Sequence, residues 1–198
     1  MAKLNFKYST MNAGKSLDLI RTVYNYEENG YKVLVLKPSI DTKGEDYIVS
    51  RIGLKRKVDY LIKREDNVID LLKDKLEGIK CIFIDESQFL TREQVDQLFL
   101  ISKNFNIDVI CYGLRLNFQM NAFEGSLRLL EIAEELDELK TMCKCGNIAR
   151  YVGRKVDGKY TLEGDEVVID GTKNVEYIPL CGDCYLKEVK SKQKVLKK

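Results

Sequence analysis

Residues 3–8, KLNFKY, alternate apolar and polar side chains and predict a strand. From Lys15 to Asn29 the positions Leu17, Ile20, Val23 and Tyr24 fall at helical spacing, and Gly30 marks the helix end. YKVLVLK then predicts a second strand, closed by Pro38, which completes a strand-helix-strand unit of the parallel, right-handed kind. Residues 39–66 carry mixed charge and weak periodicity and are expected to be loop or irregular structure. The pattern resumes with NVIDLLKDKLEG as helix, IKCIFIDES as strand, TREQVDQLFLISKNFN as helix, IDVICYGLR as strand and SLRLLEIAEELDELK as helix. Thr91 followed by Gln94 matches a capping box. The near-continuous apolar runs CIFI and VICY suit strands buried on both faces, so residues 1–140 are expected to form an α/β domain, a parallel sheet flanked by helices.

Beyond Lys140 the chain changes to short segments between glycines, bracketed by two close cysteine pairs. Residues 141–185 are expected to form a small appended lobe, and the basic end 186–198 a solvated, disordered tail. Lys and Arg number 33 against 31 Asp and Glu, a formal charge of +2, so no overall field points to a nucleic-acid or membrane partner. No run approaches the roughly 18 apolar residues that span a bilayer, and the chain enters its first strand pattern without an apolar leader, which predicts a soluble cytoplasmic protein. Histidine is absent, which excludes any mechanism or metal site that needs an imidazole.

The first strand-helix junction reads Ser9-Thr10-Met11-Asn12-Ala13-Gly14-Lys15-Ser16. A turn ending in Gly-Lys-Ser lets backbone N–H groups and a helix N-terminus converge on phosphate, with Lys15 reaching the β and γ groups and Ser16 placed for Mg²⁺. The tripeptide alone is common, and a turn glycine beside a solvated lysine would look the same. Ser9, where the full motif has glycine, requires only a backbone without positive φ. IKCIFIDESQF supplies the second half of the test, because a buried strand ends in Asp85 and Glu86, where ligands of parallel sheets sit. Asp85 is the expected metal partner of Ser16. Glu86 suits either a general base toward a hydroxyl or a group that orients water. Together the two motifs predict a P-loop NTPase-like nucleotide site.

Cys143, Cys145, Cys181 and Cys184 match the ligand count of a closed structural zinc site, with a disulfide pair as the competing arrangement. Cys81 and Cys111, inside apolar runs, are expected to be buried strand residues.

The order YSTMNAGKS, SRIGL, DESQFLTREQV, CYGLRLNF, ELKTMCKCG, EGDEVVIDG and Y-x₃-C-x₂-C resembles thymidine kinases of the cellular type, closest to the bacterial members, over residues 4–185. The resemblance implies transfer of the γ-phosphoryl group of ATP to the 5′-hydroxyl of thymidine or deoxyuridine. It also implies Mg²⁺ with ATP, a structural Zn²⁺ on the four cysteines of the lobe, a homotetramer, inhibition by dTTP and a place in salvage for DNA synthesis. By position it implies Ser9 to Ser16 and Asp85, Glu86, Ser87 and Gln88 as the ATP and metal segment, Glu86 as base and Arg51 near the phosphates. Met11, Phe89, Leu114, Phe118 and Phe123 would form the base pocket, closed by a lasso loop at Val168, Ile169, Asp170 and Gly171 and by Tyr177. The family's lasso usually reads Ile-Gly-Gly, three residues, Tyr; here Ile169-Asp170-Gly171 is followed by TKNVE before Tyr177. Ordinary core packing is the competing account of each aromatic. Two other functions fit parts of the pattern: a P-loop ATPase or switch that docks a macromolecule on the cysteine lobe, and a non-catalytic nucleic-acid-binding module, which the near-neutral charge opposes.

Overall fold

The structure, a computed structural model, describes residues 1–40, 44–164 and 174–190. The expected lasso residues Val168 to Gly171 and the end of the basic tail lie outside the described residues. In chain order the first elements are β1 (Leu4–Ser9), α1 (Lys15–Glu28), β2 (Lys32–Pro38), β3 (Tyr47–Val49), β4 (Lys55–Lys57), β5 (Tyr60–Ile62), α2 (Val68–Leu72) and β6 (Ile79–Ile84). They are followed by α3 (Arg92–Asn104), β7 (Asp108–Leu114), α4 (Glu124–Ile132) and β8 (Glu135–Glu138). The lobe holds β9 (Thr141–Met142), β10 (Ile148–Ala149), β11 (Tyr151–Val156), β12 (Lys159–Thr161), β13 (Val175–Leu180), α5 (Gly182–Tyr185) and a π-helical turn, Leu186–Lys190.

Among the described residues a six-stranded sheet runs β5-β2-β6-β7-β1-β8, with every neighbouring pair parallel. Parallel pairing puts all carboxyl ends on one edge, so Ser9, Pro38, Ile84 and Leu114 end their strands together. β1 and β2 are parallel, as expected, but β6 and β7 lie between them. Alternate residues of each strand pack onto opposite faces. Val35, Phe83, Ile110 and Tyr112 meet Leu19 and Val23 of α1 on one side, and Leu36, Ile84, Cys111 and Phe6 meet Leu72, Val95, Leu98 and Leu129 on the other. Burial pushes the Cys81 and Cys111 thiols well above the ordinary range, as suits inert core residues.

Several helix ends follow the sequence. Gly30, at φ 78°, donates to Glu27 O at 2.9 Å while Tyr31 N reaches Tyr26 O at 3.0 Å, the paired bonds of a Schellman end. Thr91 Oγ1 accepts from Gln94 N at 3.2 Å and Gln94 Oε1 accepts from Thr91 N at 3.1 Å, completing the capping box of α3.

Three expectations are corrected. Residues 39–66 are not irregular throughout. Tyr47–Val49 and Lys55–Lys57 pair as an antiparallel hairpin, and Tyr60–Ile62 extends the main sheet beside β2. The helix expected over residues 126–140 begins at Glu124 and stops at Ile132, and Glu135–Glu138 pairs with β1. This edge strand is held by partners and not by pattern: Glu134 N donates to Leu4 O at 2.9 Å, and ion pairs join Lys3 to Glu135 and Lys103 to Glu134. The helix expected over NVIDLLKDKLEG keeps only Val68–Leu72.

The lobe contains a two-stranded sheet, β9-β10, and a three-stranded one, β12-β11-β13, over a small core of Cys143, Ala149, Leu180, Cys181, Tyr185 and Val189. It packs on the sheet domain. Thr10 Oγ1 donates to Tyr151 O at 3.1 Å, Thr141 Oγ1 to Asn12 O at 3.2 Å, and Tyr185 OH to Phe118 O at 2.6 Å.

Candidate active site

β1 delivers the chain to the turn that the sequence singled out. Positive φ falls at Asn12 (67°) and Gly14 (78°) and not at Ser9, whose hydroxyl donates to Thr10 O at 2.7 Å. Serine is therefore compatible with the start of the loop. Gly14 precedes α1 in a left-handed conformation and no side chain caps the helix, which leaves its first N–H groups available to an anion. Lys15 is buried in the first turn beside Ser16. Behind the loop, Asp18 holds the helix to the sheet. Burial favours its neutral form, but hydrogen bonds from Arg21 (2.6 Å), Lys7 (3.1 Å) and Tyr112 (3.0 Å) outweigh that and keep its carboxyl below the usual range.

β6 carries Asp85 and Glu86 to the same edge. Asp85 is buried and its N–H still pairs with Leu36 O at 3.0 Å. Glu86 adopts φ 48°, ψ 38°, a left-handed conformation that costs a non-glycine residue energy and is maintained by its surroundings. Gln88 Nε2 donates to Glu86 Oε2 at 2.5 Å, and Gln88 Oε1 accepts from Leu114 N at 3.0 Å. Ser87 Oγ donates to Tyr112 O at 2.9 Å. Two glycines make room for this turn. A Cβ on Gly113 would stand 2.7 Å from Ser87 Oγ, and one on Gly125 would stand 2.4 Å from Ser87 O and 2.8 Å from Leu90 O. The sequence reading missed both; a glycine in the first turn of a helix, as in FEGS, is the available signal of a close backbone approach.

Lys37 was also missed. It is fully buried at the end of β2, and its ammonium donates to Glu45 O at 3.1 Å and Tyr47 O at 3.5 Å. Lysine is rarely buried without such partners. Arg51, expected near the phosphates, stands exposed in the turn between β3 and β4.

The aromatic residues divide by depth. Phe118 is 1% exposed and Phe123 is 6% exposed, whereas Met11, Phe89, Leu114 and Tyr177 are partly exposed. Phe89 and Phe123 meet edge to face at 5.9 Å. Asn117 Oδ1 accepts from Gln119 N and Asn121 N, both at 3.0 Å, and so folds the loop that carries Phe118.

The four cysteines of the lobe converge. The sulfurs of Cys143, Cys145, Cys181 and Cys184 all lie within 4.8 Å of one another, and Cys145 and Cys181 are 3.5 Å apart. A soft, all-thiol donor set of this number fits Zn²⁺. At Cys143 desolvation is outweighed by the backbone N–H groups of Cys145 and Cys181, which bring the thiol down to about 7. Cys184, hydrogen-bonded among the other three thiols, is pushed up to about 12. A dication among the sulfurs would displace the thiol protons.

A parallel sheet with this glycine turn at the start of a helix, and a buried carboxylate on the same edge at the end of β6, defines a P-loop nucleotide-binding protein. Its sequence narrows the class, since the family model "Thymidine kinase" matches residues 2–185. The chain is 45% identical over 185 residues to the thymidine kinase of Mannheimia succiniciproducens, covering 91% of this chain and 93% of that one. It is 44% identical to that of Rhodopirellula baltica (91% and 86% covered) and 43% identical to that of Haemophilus influenzae (91% and 94% covered). The chain belongs to the thymidine kinase family. Among solved structures, the Pif1 helicase from Candida albicans matches with a TM-score of 0.42 and 18% identity over 71% of this chain and 36% of that one, too distant to bear on function.

Proposed function

We propose that this chain phosphorylates thymidine with ATP. The observation that carries the reading is the convergence, on one sheet edge of a thymidine kinase family member, of the phosphate turn at Gly14-Lys15-Ser16 with Asp85 and Glu86. The first N–H groups of α1 and the Lys15 ammonium hold the phosphates and offset charge that develops on them. Ser16 and Asp85 would hold Mg²⁺, which supplies further positive charge to the triphosphate when bound. Glu86, fixed by Gln88, accepts the proton of the thymidine 5′-hydroxyl as that oxygen bonds to the γ-phosphorus, and the bond to the β-γ bridging oxygen breaks to release ADP. Met11, Phe89, Leu114 and Tyr177 give the base an accessible wall backed by Phe118 and Phe123, with Val168 to Gly171 assigned to its closure from the sequence. Arg51 remains assigned to the phosphates on the resemblance alone.

Cys143, Cys145, Cys181 and Cys184 would hold Zn²⁺ as a cross-link between the two ends of the lobe. A homotetramer in the cytoplasm, inhibited by dTTP and supplying dTMP for DNA synthesis, completes the proposal. The test is product analysis with Mg-ATP and thymidine: dTMP and ADP are expected in equal amounts. ATP consumption that is indifferent to nucleoside would instead favour a P-loop ATPase.

A further inference from the structure

Arg154 is 6% exposed, one of few charged side chains so deeply buried among the described residues, and it has no part in the assignments above. Its direction follows from its strand. A Cβ on the neighbouring Gly153 would stand 2.7 Å from Tyr160 Cε1 and 2.8 Å from Leu180 Cδ1, so that position faces the cysteine-lobe core. Successive strand positions alternate, which turns Arg154 away from that core. Tyr177 on β13 lies directly opposite Arg154 in the ladder and shares its face.

On that face the guanidinium carbon of Arg154 lies 4.9 Å from the centroid of the Phe118 ring, a cation over an aromatic face. The chain also approaches the guanidinium closely at Gly164, where a Cβ would stand 3.0 Å from Arg154 Nη1. The same lobe grips the loop around Phe118: Tyr185 OH donates to Phe118 O at 2.6 Å, and Gln119 Nε2 donates to Leu162 O at 2.8 Å. Phe118 is thus held by the lobe through both its ring and its carbonyl.

We propose that Arg154 is a positioning residue for the nucleoside. Its planar cation, stacked on Phe118, fixes the ring that backs the base pocket and ties it to the strand that carries Tyr177. The proposal rests on the assignment of Phe118 and Tyr177 to the nucleoside pocket. The cysteine lobe then acts on thymidine affinity through its hold on Phe118, while its contacts with the phosphate turn run separately through Thr10 and Asn12.

The experiment is a steady-state comparison of KM for thymidine and for ATP in Arg154→Met, Arg154→Lys, Phe118→Leu and the Arg154→Met/Phe118→Leu double variant, with thermal melting alongside. Both Arg154 variants are expected to raise the thymidine KM about tenfold, because lysine lacks the flat guanidinium, and to leave the ATP KM near its starting value. The double variant should be no worse than the weaker-binding single variant, since both changes remove one interaction. An unchanged thymidine KM in the Arg154 variants while Phe118→Leu raises it overturns the role of Arg154 and leaves the pocket assignment standing. So does multiplication of the two effects, or an equal rise in both KM values with a lowered melting temperature. An unchanged thymidine KM in Phe118→Leu overturns the pocket assignment and the role of Arg154 with it.

Discussion

Glu86 combines a left-handed backbone with a side chain held by Gln88, the sort of strained geometry that persists where surroundings fix a working group. Glu86→Gln should lower kcat by about 10²–10⁴ with little change in either KM, measured at saturating thymidine and Mg-ATP. Lys37→Met should lower stability by about 1–3 kcal/mol in urea denaturation, because carbonyls of Glu45 and Tyr47 lose a buried donor. Asp18 gives a pH dependence of definite sign. Its folded carboxyl lies below the ordinary value, so its contribution is fully present above about pH 4 and is lost as pH falls through the folded pKa. Asp18→Asn should flatten the acid limb of a stability-pH profile. At this scale the sequence announced residues whose neighbours in the chain reveal them: Lys15 after Gly14, Asp85 and Glu86 at a strand end, cysteines in pairs. Lys37 and Arg154 were hidden because their partners, the 45–47 carbonyls and Phe118, are set by tertiary packing.

At the scale of elements, the 3-10 turn Ser87–Phe89 is seated by glycines on neighbouring elements. Gly125→Ala would press a methyl group against the carbonyls of Ser87 and Leu90, so it should reduce kcat/KM at least about tenfold while the protein remains folded by circular dichroism. Retention of full activity would show that the turn tolerates displacement. The strong elements were legible because their patterns are long: the buried runs of β6 and β7, the amphipathic α1 and the capped α3. β3, β4 and β5 are each three residues long, too short for alternation to register. ELDE in β8 has the composition of a helix surface, and its pairing with β1 overrides that local preference.

For the whole molecule, composition marks a change near Lys140, but the contacts between the segments on either side of it are not written in the sequence. Thr10, Asn12 and Phe118, all in or near the expected substrate loops, are among the sheet domain's partners in those contacts. Metal analysis should find about one zinc per chain, and a strong chelator should lower the melting temperature and the activity together. Full activity in zinc-free protein would remove the cross-link from the account. The most direct test of the central claim is a panel of thymidine, deoxyuridine, deoxycytidine and purine deoxynucleosides with Mg-ATP, followed by identification of the monophosphates. Thymidine and deoxyuridine are expected to be phosphorylated, with ADP formed only in their presence; phosphorylation confined to deoxycytidine or a purine deoxynucleoside would contradict the proposed function.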